Sequence, residues 1–172
     1  SGATVSSLFG GNFSDAADNS GSSSANAFAG IAISSYTVDA SKGSWQYKTD
    51  GGSWTNLGSA AASNAFVLKA TDMLRFVPAT NYNGPATSLS ANLIESGQAI
   101  SSGSLVDLVG ATGGTTHISS GTVTLSEVVT AVNGAPIASG AAELAAIDEN
   151  TVNPSGATVS SLFGGNFSDA AD

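Results

Sequence analysis

The sequence predicts an all-β protein, an antiparallel β-sandwich that forms one repeat of a tandem array. Three observations predict it. Charged residues make up 10% of the 172-residue chain, against about 25% in ordinary soluble domains. Gly, Ser, Thr, Ala and Asn take their place, which suits strands and turns under a neutral polar surface. Short apolar or alternating runs recur with turn residues between them, about eight or nine in all, the pattern of a sandwich. Finally, SGATVSSLFGGNFSDAAD occupies residues 1–18 and returns unchanged at 155–172, an offset of 154 residues. Fixed periods mark repeat architectures, and this one is too long for a solenoid unit of about 20–50 residues. It matches one whole domain.

In chain order, residues 1–9 alternate and end on Leu8-Phe9, which reads as a strand stopped by Gly10-Gly11. The Ser/Gly run 20–24 reads as a loop. Phe28 to Ile33 (FAGIAI) reads as a strand buried on nearly both faces. Ser44 to Leu57 is the clearest local signal: SWQYKT and SWTNL flank Asp50-Gly51-Gly52, and Gly tolerates the positive φ of a tight hairpin turn. Trp45, Tyr47 and Thr49 then share one face by the period of two. Ala65–Leu68 and Met73–Val77 read as two strands with Lys69 to Asp72 turning between them, and Pro78 ends the second.

Asn81 to Pro85 is a turn cluster. Thr87 to Glu95 alternates as a strand, Leu105 to Val109 is a short one, and Gly110 to Thr116 is a loop. Gly121 to Val132, rich in β-branched residues, reads as one long strand closed by Asn133 to Pro136. Ser139 to Ile147 has Ala-rich helical propensity and could equally be extended; we read it as extended. These readings divide the chain into a sandwich repeat over 1–136, lacking its own first strand if the natural boundary lies near Pro136, and a junction with the start of the next repeat over 137–172. Two identical segments cannot fill one slot in one sandwich. The second therefore belongs to a further unit or packs in trans, by strand exchange or head-to-tail contact between copies.

Thirteen acids face four Lys and Arg, a net charge of −9. Four scattered cations cannot make the basic footprint that nucleic acid requires, nor hold an anionic membrane surface. Cysteine is absent, so no disulfide staples the fold. No apolar run approaches the roughly 18 residues of a membrane-spanning helix. Acidic oxygens suit hard cations such as calcium, although acids also simply keep a protein soluble.

Four stretches carry a resemblance. VTAVNGAP at 129–136 resembles the junction between cadherin-like repeats of giant bacterial surface proteins, and IDENTVNPSG at 147–156 the segment that opens the following repeat. LRFVPATNYNG at 74–84 resembles their mid-domain strand and turn, and SWQYKTDGGSW at 44–54 their tryptophan hairpin. In this order the stretches are similar to the extender repeats of RTX-type bacterial adhesins. The resemblance implies an immunoglobulin- or cadherin-like sandwich, an extracellular place on a bacterial cell surface, and a non-catalytic role in cell adhesion or biofilm. It also implies calcium at the junctions and neighbouring repeats as partners. Asn133 and Glu149 carry over residue by residue, with Asp148 as a neighbour. Gly134 stands where the family's junction usually has an acid, and Ala131 where cadherin junctions proper have one, which removes carboxylate ligands from the junction.

Calcium takes about 6–8 oxygen ligands, and no EF-hand spacing is present. Its ligands must then converge from separate loops. The candidates are Asp15, Asp18 and Asn19, their repeats Asp169 and Asp172, the group Asp148, Glu149 and Asn150, Asp72 in its turn, and Asn133. The alternative is that Asp15 and Asp18 form turns by bonding their own backbone. His117 is the single histidine and reads as a surface residue, because one His makes no transition-metal site. A hydrolase would need it within reach of a serine, and no G-x-S-x-G pattern supports that. The aromatic stripe reads as sheet packing. If Trp45, Tyr47 and Trp54 were instead exposed, they would make a glycan-binding module acting by avidity.

Overall fold

A computed structural model describes residues 2–19 and 24–169. Ser20 to Ser23 of the expected Ser/Gly loop lie outside the described residues, as does Asp172. The chain divides into two compact units, Ser1–Thr130 and Ala131–Asp172, the division falling a few residues before Pro136.

The first unit runs β1 (Ala3–Thr4), α1 (Val5–Phe9), β2 (Phe28–Ser35), β3 (Gly43–Lys48), β4 (Thr55–Asn56), β5 (Ala65–Lys69), β6 (Met73–Pro78), β7 (Gly84–Pro85), β8 (Leu89–Glu95), β9 (Leu105–Val106), β10 (Ile118–Leu125) and β11 (Val128–Val129). Among the described residues, one sheet has the order β1-β6-β3-β4 and the other β10-β8-β2-β5-β9, with β11 and β7 paired apart. Every strand pair is antiparallel. This is the all-β sandwich expected.

The core lies between the sheets and follows the period of two. Ile31 and Ile33 of β2, Leu68 of β5, and Leu89, Ala91 and Leu93 of β8 meet Trp45 of β3 and Leu74 of β6. The alternate residues of the larger sheet, Ala32, Val67 and Ile94, form a second small core on its outer face with Leu108 and Ile118. That is why FAGIAI is apolar on both faces. Asn92 is buried on the same outer face and is fully bonded: its amide donates to Ser119 O at 2.8 Å, and its oxygen accepts from the Ser34 hydroxyl at 2.7 Å.

The Asp-Gly hairpin forms as expected, with Gln46 opposite Asn56 and Tyr47 opposite Thr55. Gly51 takes a φ of +70° in the turn, where a side chain would be strained. Two expectations are corrected. Residues 5–9 are helical, and only Ala3–Thr4 before them is extended. The run 121–132 is not one strand: β10 already begins at Ile118 and ends at Leu125, and Val128–Val129 leaves for Pro85 and Gly84. The turn 69–72 falls between β5 and β6 as expected. It carries the chain from one sheet to the other, so β5 and β6 face each other across the core.

Asp72 makes that crossover possible. It is 1% exposed, and its carboxylate accepts from Lys69 N at 2.8 Å and from the Ser102 hydroxyl. Its carbonyl accepts from Val5 N at 2.8 Å. One residue thus ties the crossover, the 101–104 loop and α1.

The second unit contains β12 (Ile137–Ala138), α2 (Val159–Phe163) and β13 (Phe167–Ser168), with β12 and β13 paired antiparallel. Ser139 to Ile147 forms neither helix nor strand. Among the described residues of this unit no hydrophobic side chain is buried.

Replacing Asp72 by Ala leaves the Ser102 hydroxyl and the Lys69 N–H without their acceptor. Both donors are part-buried, and an unsatisfied buried donor costs about 1–3 kcal/mol, so Asp72→Ala is expected to lose about 1–3 kcal/mol in chemical denaturation. Ser102→Ala, which leaves the Lys69 bond intact, is expected to lose less.

Candidate functional site: a repeated wedge and its polar cleft

The repeated segment builds the same local structure twice. In the first copy the Thr4 hydroxyl accepts from Ser7 N at 3.1 Å and caps α1, and the Ser7 hydroxyl donates back to Thr4 O at 2.8 Å. In the second copy Thr158 caps α2 through Ser161 N, also at 3.1 Å, with the same return bond at 2.8 Å. Both helices last five residues and pass into a tight 3-10 turn, Gly10–Asn12 and Gly164–Asn166. The cap and the Gly-Gly that follows are local instructions, so both copies obey them.

Packing separates the copies. Positions four apart share one helix face. On α1 these are Val5 and Phe9, both 0% exposed within the inter-sheet core. On α2 they are Val159 and Phe163, 74% and 55% exposed. The first copy is also held at its edges. Ala3 and Thr4 pair with Leu74 and Met73 of β6. The free N–H groups at the start of α1 reach Asp72 O at 2.8 Å and Ala70 O at 2.9 Å. Phe13 packs at a tilt against Phe28, with ring centroids 5.7 Å apart. At Gly2 an added Cβ would lie 2.4 Å from the Trp54 ring, so only glycine fits. Its counterpart Gly156 borders open space. Ala157–Thr158 forms no strand, and Phe167, 60% exposed, pairs through its backbone with Ala138 instead.

Beside the seated wedge lies an open cleft of about 200 Å³, lined by Asn12 to Asp15 of the wedge and by Glu95 and His117. The Asp15 carboxylate accepts from Asn26 N at 2.6 Å and fastens the wedge to the start of β2. His117 Nδ1 lies 2.6 Å from Glu95 Oε1, which also accepts from the Asn26 amide at 3.3 Å. The imidazole is partly exposed and packs over Gly97, whose added Cβ would approach it to 3.0 Å. Ser119, the serine nearest His117 in sequence, uses its hydroxyl on Gly121 O at 2.7 Å and Leu93 N at 2.8 Å.

The remaining acids are spread out. Asp18 and Asn19 are exposed in the 3-10 turn Ala16–Asp18 and just after it. Asp72 is committed inside the crossover. Asn133 is exposed and bonds Gly134 O at 2.7 Å. Asp148, Glu149 and Asn150 lie in an exposed turn, closed by Thr151 Oγ1 on Asp148 O at 2.7 Å, with Asn150 at φ +67°. Asp169 is exposed. Among the described residues no three His, Asp or Glu side chains gather as a metal ion would require.

The three rings of the glycan reading, Trp45, Tyr47 and Trp54, each have protein partners. Trp45 is buried, donates Nε1–H to Thr87 O at 2.7 Å, and meets Phe76 edge-on. Tyr47 packs on Phe66, ring centroids 4.8 Å apart. Trp54 lies against Gly2, with the Arg75 guanidinium 4.2 Å from its ring centroid. Sequence reasoning missed Val5, Phe9 and Glu95. The Val5/Phe9 spacing behind a threonine was a readable signal. Glu95 was not, because only the pairing of β10 with β8 brings His117 to it.

No protein-family model matches this chain, and no curated protein or solved structure matches it either.

The duplicated sequence permits a matched test. Phe9→Ala opens a cavity in the core and is expected to cost about 3–5 kcal/mol. Phe163→Ala, the same change in the same local sequence, is expected to stay within about 0.5 kcal/mol. Thermal or urea unfolding of the two variants measures both.

Proposed function

We propose that this chain is a non-catalytic structural module, one period of a tandem β-sandwich array that provides length and stiffness. The observation that carries the proposal is the unchanged return of residues 1–18 at 155–172, one domain length later. Near-perfect identity between neighbours fits selection for the number of units rather than for a separate chemistry in each. The sandwich supports the reading as well: its Trp45, Tyr47 and Trp54 rings serve packing, and its buried polar side chains, Asp72 and Asn92, hold a crossover and neighbouring strands. The resemblance to adhesin extender repeats adds the setting, a bacterial cell surface with the array holding a terminal binding domain away from the cell.

Appending residues 19–172 after Asp172 adds one period in register. A sandwich of this size is about 40 Å across. The maximum dimension from small-angle scattering is expected to grow by about that length with each added period. Growth closer to the square root of the number of units, as for beads on flexible linkers, would defeat the stiffness claim.

Calcium belongs to the same reading through the resemblance, with Asp148, Glu149 and Asn133 at the junction and Asp15 and Asp18 as the further donors. A site with a dissociation constant near 0.1 mM adds roughly 2.7 kcal/mol in about 10 mM calcium. The expected rise in thermal midpoint over EDTA is about 5–10 °C, with no equal rise in magnesium. An unchanged midpoint would remove calcium from the reading and leave the acids as turn and surface residues.

A further inference from the structure

We propose that the exposed face of Val159, Phe163 and Phe167 is a docking element for a second copy of the sandwich, in the slot that Val5, Phe9 and Phe13 fill in the first. The inference rests on the tandem reading and deepens it by naming the partner of the second segment. The match is unusually well defined. The slot is known, because the first copy shows Val5 and Phe9 buried in the core and Phe13 packed against it. The insert is known too, because it has the same residues in the same capped helix and the same tight turn.

The second segment also keeps free what seating would use. Ala157 and Thr158 form no strand, where Ala3 and Thr4 pair with β6. Gly156 borders open space, where Gly2 meets Trp54. Three large apolar side chains within nine residues are each more than half exposed. Val159 and Phe163 lie on one helix face, and clustered exposed apolar side chains mark an interaction surface.

Competition decides who sits where. Head and tail segments are identical, so a slot cannot tell them apart by contacts. In a single chain the head is tethered directly to its sandwich, and its high effective concentration keeps the tail out. Weakening the head removes that advantage, and the tail of another molecule then takes the slot, joining chains head to tail.

The test uses four full-length chains: wild type, a head variant (Val5→Asp with Phe9→Asp), a tail variant (Val159→Asp with Phe163→Asp), and the two combined. The tail variant is expected to melt within about 1 °C of wild type, since surface changes rarely matter. The head variant is expected to keep a cooperative transition that rises with protein concentration, and to run as oligomers on size exclusion. The combined variant is expected to lose that transition or to melt at least about 10 °C lower. Equal midpoints for the head and combined variants would overturn the proposal. So would a head variant rescued as a monomer, which would assign the tail to its own sandwich rather than to a second copy. Against outright misfolding of the head variant, Phe9→Ala is titrated with a synthetic peptide of residues 155–172. A dose-dependent rise in midpoint, absent for the peptide carrying both Asp substitutions, is expected; no rise would overturn the proposal. None of these failures touches the scaling of length with added periods, so the array reading would stand or fall separately.

Discussion

A sandwich is held together by whatever fills the space between its sheets, and here part of that filling comes from neither sheet. Val5 and Phe9 enter from a five-residue helix and lose all exposure to water. Such a helix is far too short to be stable alone. It exists because Thr4 caps it and because the core accepts one of its faces. The core in turn needs the wedge, since burying a Phe and a Val contributes roughly 1.5–3 kcal/mol each. Asp72 locks the two dependencies together. Its carboxylate shapes the crossover between the sheets, while its carbonyl receives the first N–H of the helix. The buried acid is tolerated because its bonds are made at home, inside one turn and one adjoining loop.

Much of this was legible in the sequence. Alternation located β3 and β8, short apolar runs located β2, β5 and β6, and Asp50-Gly51 located the hairpin. Those signals are local, and the structure agrees with them within a residue or two. The helix was not read, because Val, Ser and Phe at 5–9 are equally good strand residues and the run is short. The interruption between Leu125 and Val128 was invisible for a related reason. No Gly or Pro marks it; the chain simply changes partner, from β8 to β7. Partner choice is a property of the whole sheet, and sequence periodicity carries no record of it.

The site readings divide along the same line. Asp148, Glu149 and Asn150, neighbours in sequence, share one turn closed by Thr151. Asp72 was correctly placed in a turn, but its burial depended on Ser102, 30 residues away. The pairing of His117 with Glu95 depended on a strand register. The aromatic stripe turned inward for a readable reason: Trp45 and Tyr47 alternate with polar Gln46 and Lys48 on a strand with one face on the core.

The two copies of the repeated segment separate what a sequence dictates locally from what it needs from its surroundings. Eighteen identical residues give the same cap, helix and turn in both places, yet one copy is core and the other is surface. The second unit shows why. Its strand pairing is a two-residue ribbon between Ile137–Ala138 and Phe167–Ser168, closing a loop of nearly thirty residues. A two-stranded ribbon is marginal by itself, and among its described residues no hydrophobic group is buried to support it. On the array reading, each wedge then has a double role: it is the end of one junction and the core of the following sandwich. Displacing a wedge would empty that core and slacken the chain leading into it. Stability would therefore be shared between neighbours rather than owned by each unit, which is the condition under which a linear array behaves as one stiff body.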